Sequence, residues 1–166
     1  MRFVISIIVF FIIAFLAVLF LSVVLPSDYE NTERQSFAVP VEEAWNFISR
    51  VKGYPKFREE YYYVQVLSKR KNHVYQWQAY MSDGKLAVYQ INNFMPQKHL
   101  SIELIRCNNK MTGNWDFYFF GDTTNCTIEI TENSTMDDPI EKVIWYLTNR
   151  NSRINREFEL IEGLEE

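Results

Sequence analysis

The chain opens with a long, uninterrupted apolar segment. From Phe3 to Leu25 the sequence FVISIIVFFIIAFLAVLFLSVVL contains no charged residue, no Gly and no Pro. At about 1.5 Å per residue, a helix of this length crosses a hydrocarbon core of ~30 Å. The alternative is a cleavable secretory signal, but its apolar part is usually about 7–15 residues long and precedes a small-residue cleavage site, which is not found here. The pattern therefore predicts a transmembrane anchor over residues 1–25.

A polar segment separates this anchor from the next apolar pattern. Residues 26–35 (PSDYENTERQ) show no apolar period and predict a short linker, so that the folded domain covers residues 36–166. A short strand is predicted at 36–39, and Pro40 then occupies the first turn of a helix, where its missing N–H is harmless. The apolar positions of that helix are Val41, Ala44, Trp45, Phe47, Ile48 and Val51. Gly53 and Pro55 end it.

The middle of the chain has the two-residue period of half-buried strands. In residues 73–81, Tyr75, Trp77 and Ala79 alternate with glutamines and a tyrosine, and Asp83-Gly84 follows as a turn. The same alternation occurs at 100–104, 114–119 and 126–130, and two further strands are predicted at 60–68 and 86–91. About six strands joined by short turns predict an antiparallel sheet.

The C-terminal segment changes to helical spacing. Asp137-Asp138-Pro139 provides a cap and a first turn. The apolar positions that follow, at intervals near three and four, are Ile140, Ile144, Leu147, Ile154, Phe158 and Ile161. They predict one helical stripe about six turns long that faces the sheet. Asn151 interrupts the stripe, either as a water-facing residue near a kink or as a polar group facing a cavity.

Composition excludes several classes of protein. The chain is 48% hydrophobic and carries a net charge of −4, so neither disorder nor a basic nucleic-acid-binding surface is expected. No CxxC, HExxH, Walker A, GxGxxG or GxSxG motif is present, and His73 and His99 are the only histidines. We therefore assign no catalytic residue, metal or cofactor from the sequence, and nothing indicates a particular protein partner.

Two motifs carry a resemblance to a known family. Residues 37–48 (FAVPVEEAWNFI) followed by 53–57 (GYPKF) resemble the opening motif of the START-like SRPBCC superfamily, the polyketide cyclase/dehydrase and lipid-transport group. Residues 113–117 (GNWDF) with 121–127 (GDTTNCT) are similar to its late hairpin. The resemblance implies an α+β helix-grip fold, in which a curved antiparallel sheet wraps around a long C-terminal helix. A cystatin-like α+β fold is the alternative, although its long helix precedes the sheet.

The resemblance also implies a deep, mostly apolar cavity between sheet and C-terminal helix. Our candidate ligand-binding residues are Trp77, Tyr89, Trp115, Phe117, Asn151 and Ile154. The leading hypothesis is a non-catalytic, membrane-tethered module that holds a hydrophobic small molecule such as a lipid or quinone. The alternatives are an enzyme of the polyketide cyclase or aromatase kind, and a protein-interaction domain with a filled core.

Charges beside the apolar segment predict its orientation. Arg2 and the α-amino group precede it, whereas Asp28, Glu30 and Glu33 with the single Arg34 follow it. The positive-inside rule then predicts a single-pass protein with a cytoplasmic N-terminus and an extracytoplasmic domain. Strand phase predicts that Cys107 points outward and Cys126 inward, which disfavours a disulfide between them.

Overall fold

The computed structural model describes residues 2–107, 111–148 and 152–164. Within these ranges the helices are α1 (Arg2–Val24), α2 (Val41–Ser49), α3 (Tyr54–Phe57), α4 (Pro139–Thr148) and α5 (Ser152–Glu162). The strands are β1 (Asp28–Phe37), β2 (Tyr61–Arg70), β3 (His73–Met81), β4 (Leu86–Met95), β5 (His99–Cys107), β6 (Met111–Gly121) and β7 (Cys126–Met136). They form one antiparallel sheet in the order β1-β7-β6-β5-β4-β3-β2.

The predicted helix-grip architecture is confirmed. The alternating segments are β2 to β7, and their apolar side chains cover the concave face of the curved sheet, where Trp77, Ile128 and Ile130 are fully buried. Helix α2 closes one part of this face, with Trp45 packed against Phe94 and Phe119 at ring-centroid distances of 5.1 and 5.3 Å. The core therefore lies between the sheet and the helices.

The segment predicted as a linker is mostly strand. β1 begins at Asp28 and pairs with β7 along its whole length, from Asp28 opposite Thr135 to Phe37 opposite Cys126. Between Tyr29 and Phe37 all the side chains are polar. Half-buried and exposed positions alternate along the strand, but no apolar residues mark the half-buried ones. Backbone pairing on an edge strand stabilises a sequence that a hydrophobic pattern cannot reveal.

The C-terminal apolar stripe does not face one way. Ile154, Phe158 and Ile161 of α5 are buried against the sheet, as predicted. In α4, however, Ile140, Ile144 and Leu147 are 53%, 51% and 74% exposed, so their predicted burial is wrong. The reason is that α4 packs beside α1 and the end of β7, and its buried residues are Lys142 and Val143. Asn151 lies outside the described residues.

Helix α1 is long and apolar enough to cross a membrane over Ile5–Val24. In this stretch the side chains are exposed, except that Ser22 is buried and Val18 half-buried. These two residues lie one helical turn apart, and α1 contacts α4. Helix α4 therefore lies beside the last two turns of α1.

The outward position predicted for Cys107 is also wrong. β5 pairs with β4 through a bulge, since Val88 is opposite Arg106 while Tyr89 is opposite Leu104. The extra residue, Ile105, changes the phase of the strand, so Cys107 faces the concave side. Both cysteines are free thiols.

Candidate functional site

A cavity of about 510 Å³ lies between the concave face of the sheet and α5. Its interior is lined by apolar and aromatic side chains from five strands and α5, and its rim by charged groups. The interior residues are Trp77, Tyr89, Ile102, Leu104, Met111, Trp115, Phe117, Ile130 and Ile154. The rim residues include Arg58, Glu60, Asp83, Lys85, Arg153, Arg156 and Glu157. An apolar interior with a few polar groups is typical of small-molecule sites.

The structure brings together all the predicted site residues that it describes. Trp77, Tyr89, Trp115, Phe117 and Ile154 line this one cavity. Trp77 and Tyr89 are cross-strand neighbours whose rings stack at 5.3 Å with an interplanar angle of 17°. Trp115 follows at 6.4 Å from Tyr89. Every second side chain of each strand points toward the concave face. These aromatic residues are inward positions of neighbouring strands and therefore form a continuous surface.

A glycine sets the position of the Trp115 ring. A Cβ atom at Gly113 would lie 2.7 Å from Cη2 of Trp115, which is closer than van der Waals contact allows. The indole therefore lies flat over the Gly113 backbone, two residues away on the same face of β6. Any larger residue at 113 would displace the ring from this position.

The rim contains a buried ion pair that the sequence analysis missed. Arg58, which is 5% exposed, binds Glu157 of α5 through both Nη atoms, with Nη2 2.6 Å from Oε2. The guanidinium also lies 4.2 Å from the centre of the Tyr54 ring. Burial by itself lowers the pKa of Arg58, but the Glu157 carboxylate together with the nearby Tyr54 and Tyr61 outweighs that effect and raises it. The pair links the α3–β2 connection to α5 across the cavity mouth.

Two tyrosines bring hydroxyl groups to the cavity. Tyr61 and Tyr89 both line it, and their hydroxyls interact with each other. Burial raises the pKa of both phenols; the nearby Arg58 guanidinium opposes part of the rise at Tyr61. The two groups are therefore neutral near pH 7 and can donate or accept hydrogen bonds, but they do not supply a phenolate base.

A second polar group lies where α5 begins. Glu132 of β7 is fully buried and accepts a hydrogen bond from Oγ of Ser134 at 2.7 Å. Nη1 of Arg153 lies 3.3 Å from the same carboxylate, and the Arg153 guanidinium carbon is 5.7 Å from the Trp115 ring centre. Arg153 thus connects a cavity aromatic residue to a buried carboxylate.

The cavity reaches the end of the sheet from which α1 departs. The strand register places Asp28, Met136, Met111, Cys107, Leu86, Met81 and Tyr61 together at this end, which we call the α1 end. Cavity residues at the α1 end include Tyr61, Met81, Cys107 and Met111. Lys85, also on the rim, lies 3.8 Å from Glu141 of α4. The mouth is therefore adjacent to α4.

His99 and its polar partners lie away from the cavity. His99 lies on the opposite face of the sheet, where Nε2 is 2.7 Å from Oδ1 of Asp116 and Nδ1 is 2.8 Å from Nδ2 of Asn93. Over residues 2–107, 111–148 and 152–164, no group of three or more His, Cys, Asp or Glu residues has a metal-binding arrangement. What the cavity offers is shape, aromatic surface and a polar rim.

Sequence reasoning could have found some of the missed residues. Arg153 and Glu157 are four residues apart, a spacing that places both on one side of a helix. Tyr61 belongs to an unusual Tyr61-Tyr62-Tyr63 triplet in which a bulge leaves only Tyr61 inward. Arg58 has no such signal, because its partner is 99 residues away.

Comparisons of sequence identify the family. Residues 37–166 match the family described as polyketide cyclase/dehydrase and lipid transport. This match covers almost the whole chain after the apolar helix. No curated protein matches the chain by sequence.

Solved structures agree on the fold. A START superfamily protein from Mycobacterium smegmatis aligns with a TM-score of 0.66 at 11% identity, over 81% of this chain and 94% of the other. The Zhui aromatase/cyclase from Streptomyces sp. R1128 aligns with a TM-score of 0.71 at 10% identity, over 83% and 93%. Norcoclaurine synthase from Thalictrum flavum aligns with a TM-score of 0.62 at 8% identity, over 82% and 86%. At such low identity these similarities establish the START-like fold, and the sequence match establishes that this chain belongs to the polyketide cyclase/dehydrase and lipid-transport family.

Proposed function

We propose that this protein is a membrane-tethered binding module that holds a hydrophobic small molecule in its cavity and exchanges it with the adjacent bilayer. Helix α1 is the tether, the N-terminus is cytoplasmic, and the domain lies on the other side of the membrane. A lipid or a quinone is the class of ligand that fits an apolar interior supplied from a bilayer.

One observation carries the proposal: the cavity reaches the α1 end of the sheet. Met81, Cys107 and Met111 lie at that end and line the cavity. The connection from α1 to the sheet is short, since Val24 ends the helix and Asp28 begins β1. A mouth on this side faces the surface from which an apolar ligand would come, so transfer need not expose the ligand to bulk water.

The size and chemistry of the cavity support this ligand class. About 510 Å³ is within the ~300–1,000 Å³ usual for small-molecule pockets. The stacked Trp77 and Tyr89 rings and the tilted Trp115 ring beside them offer apolar surface, whereas Arg58, Arg153 and Arg156 belong to the rim. We therefore expect an amphipathic ligand with its apolar part inside and its polar group at the mouth.

Native mass spectrometry tests the proposal. The full-length protein is extracted from its membrane with a mild detergent, and the intact mass shows whether an adduct of lipid or quinone size remains bound. We expect a discrete adduct whose mass identifies its class. Protein that is reproducibly free of adduct, after extraction under several mild conditions, would contradict ligand carriage.

A matched pair of variants assigns the adduct to the cavity. Leu104 points into the cavity and its neighbour Ile105 points outward. Leu104→Trp should fill cavity volume and weaken ligand retention by roughly tenfold, equivalent to about 1.4 kcal/mol. Ile105→Trp adds the same ring outside and should leave retention unchanged. Equal adduct levels in both variants would place the ligand elsewhere.

A cyclase or aromatase activity is the second candidate. Solved relatives of this fold include aromatase/cyclases, and the cavity presents the hydroxyls of Tyr61 and Tyr89. Such an enzyme could act by binding a reactive substrate in one conformation. An adduct that leaves the protein with a mass changed by loss of water would favour this activity over simple carriage. A protein-interaction domain with a filled core is less consistent with the open cavity.

A further inference from the structure

Helix α4 presents an apolar face that the folded domain does not cover. Ile140, Ile144 and Leu147 are spaced by four and three residues and therefore lie on one side of the helix. All three are more than half exposed, and Leu147 is the most exposed of them. An exposed apolar face of this kind marks an interaction surface.

The charged residues of α4 are directed away from this face. Lys142 is buried, with Nζ 3.4 Å from Oγ of Ser27. Glu141 is half-buried and lies next to Lys85. The exposed face thus carries no charge, which makes it compatible with hydrocarbon.

The position of α4 relative to α1 indicates what covers the face. Of the α1 side chains described, only Val18 and Ser22 lose substantial exposure, and α4 packs against this helix. The stretch from Val18 to Val24 rises about 9 Å along the helix axis. Interfacial helices bury their apolar faces to a depth of about 5–10 Å. If α1 spans the bilayer, its last two turns place α4 at that depth.

Aromatic residues at the same place fit a membrane boundary. Trp145 of α4 packs edge-to-face on Tyr29 at 4.7 Å and on Tyr146 at 5.2 Å. Trp and Tyr are enriched at the headgroup level because one end of each side chain is apolar and the other polar. Trp145, Tyr146 and Tyr29 lie near the point where α1 ends and β1 begins.

We infer that α4 is an interfacial helix, with Ile140, Ile144 and Leu147 inserted among the lipids next to α1. This inference rests on the proposed tethering by α1. It goes beyond tethering because it fixes the domain against the bilayer through a second element. Because α4 contacts the rim residue Lys85 through Glu141, it also places the cavity mouth at the membrane surface.

The test measures the depth of single spin labels in the full-length protein reconstituted in phosphatidylcholine vesicles. Cys107 and Cys126 are replaced by alanine, and a nitroxide is attached at Ile140→Cys or Leu147→Cys. Collision with oxygen, which concentrates in lipid, is compared with collision with a water-soluble nickel complex. We expect both labels to collide mainly with oxygen, and to do so equally at high salt, since no charge directs the insertion.

Two further labels separate the possible outcomes. Phe10→Cys reports on α1, and Met95→Cys is an exposed apolar position at the opposite end of the sheet. If the labels at 140 and 147 collide with the two reagents as the label at 95 does, while the label at 10 is in lipid, then α4 is not an interfacial helix although α1 is still a membrane anchor. If the label at 10 is also in water, the tether itself fails. A label at 140 or at 147 that is shielded from both reagents, and whose spectrum is broadened by the same label on a neighbouring molecule, would indicate a second copy of the chain and overturn the inference.

Discussion

At the residue scale, the Arg58–Glu157 pair is expected to contribute strongly to stability. Glu157→Gln removes the negative charge and leaves a guanidinium that is almost fully buried. Because an uncompensated buried charge is costly, we expect the free energy of unfolding to fall by about 3 kcal/mol. Urea unfolding of the full-length protein in detergent, followed by tryptophan fluorescence, measures this change.

An exposed pair provides the control. Arg34 and Glu129 are 4.0 Å apart and lie at the surface of β1 and β7. Glu129→Gln should cost less than about 1 kcal/mol, because solvent screens this pair. Equal losses in the two variants would mean that the Arg58 pair contributes no more than a surface contact.

The cysteines are expected to differ in reactivity. Burial raises the pKa of the Cys126 thiol to about 11, whereas Cys107 is half-buried at the cavity mouth. Alkylation of the native protein near pH 8 should therefore modify Cys107 first, and a bound ligand should slow that reaction. Site-resolved mass spectrometry after timed quenching measures both rates. Faster modification of Cys126 would contradict the burial described here.

The same shift predicts a loss of stability in alkali. The folded pKa of Cys126, about 11, is above the ordinary value of 9.0, so the folded state holds this proton more tightly. The contribution is complete below pH 9.0 and is lost as pH rises through the folded value. Cys126→Ala should remove this component, which urea titrations between these two pH values will show.

Residue-scale prediction succeeded where a side chain follows the period of its strand. Trp77, Trp115 and Phe117 alternate with polar neighbours, so their inward direction could be inferred from the sequence alone, whereas Tyr89 lies between Val88 and Gln90 and has no such alternation. Cys107 could not be placed, because the bulge at Ile105 changes the phase without any Gly or Pro to mark it. The prediction that Asn151 binds ligand stays a prediction, as does ligand binding by the five residues that line the cavity.

At the element scale, β1 shows the limit of hydrophobic patterning. A polar segment read as a linker is an edge strand because its backbone pairs with β7, and backbone hydrogen bonds do not depend on side-chain polarity. Helix α4 shows the converse limit. The spacing of its apolar residues was predicted correctly. However, which side of α4 is buried depends on its packing against α1, and the periodicity within α4 does not contain that information.

Hydrogen exchange distinguishes the strand from a linker. If residues 28–37 pair with β7, the amides of β1 that point toward β7 should exchange roughly tenfold or more slowly than those of a turn. The reference is the exposed turn at residues 71–72, between β2 and β3 of the same protein. Exchange-mass spectrometry of the full-length chain resolves the two peptides. Equally rapid exchange in both would support the original linker prediction.

At the scale of the whole molecule, the short α1–β1 connection should control ligand uptake. Insertion of a Gly-Ser segment of roughly ten residues after Pro26 should let the domain drift by about 17 Å. We expect slower transfer of a fluorescent lipid from the vesicle to the cavity, monitored by energy transfer from the cavity tryptophans. Binding of the same lipid in detergent should be unchanged, because the cavity itself is not altered.

An insertion at the other end of the sheet is the matched control. The β4–β5 turn around Gln97 lies opposite the α1 end, so a segment of the same length there should not change the rate of transfer. If both insertions slow transfer equally, the effect comes from perturbed folding. If neither does, contact of the mouth with the bilayer is not needed for uptake.

The α1–β1 connection also limits how far a tethered domain can travel. Four steps from Val24 to Asp28 at about 3.5 Å each give a maximum span near 14 Å. On the proposed tethering, a domain held this close cannot carry a ligand across an aqueous gap to another membrane and can reach only the membrane surface next to α1. Its encounters are then governed by lateral diffusion and by the number of copies per unit area. Onward delivery would require a second, freely diffusing carrier that comes to the membrane to collect the cargo.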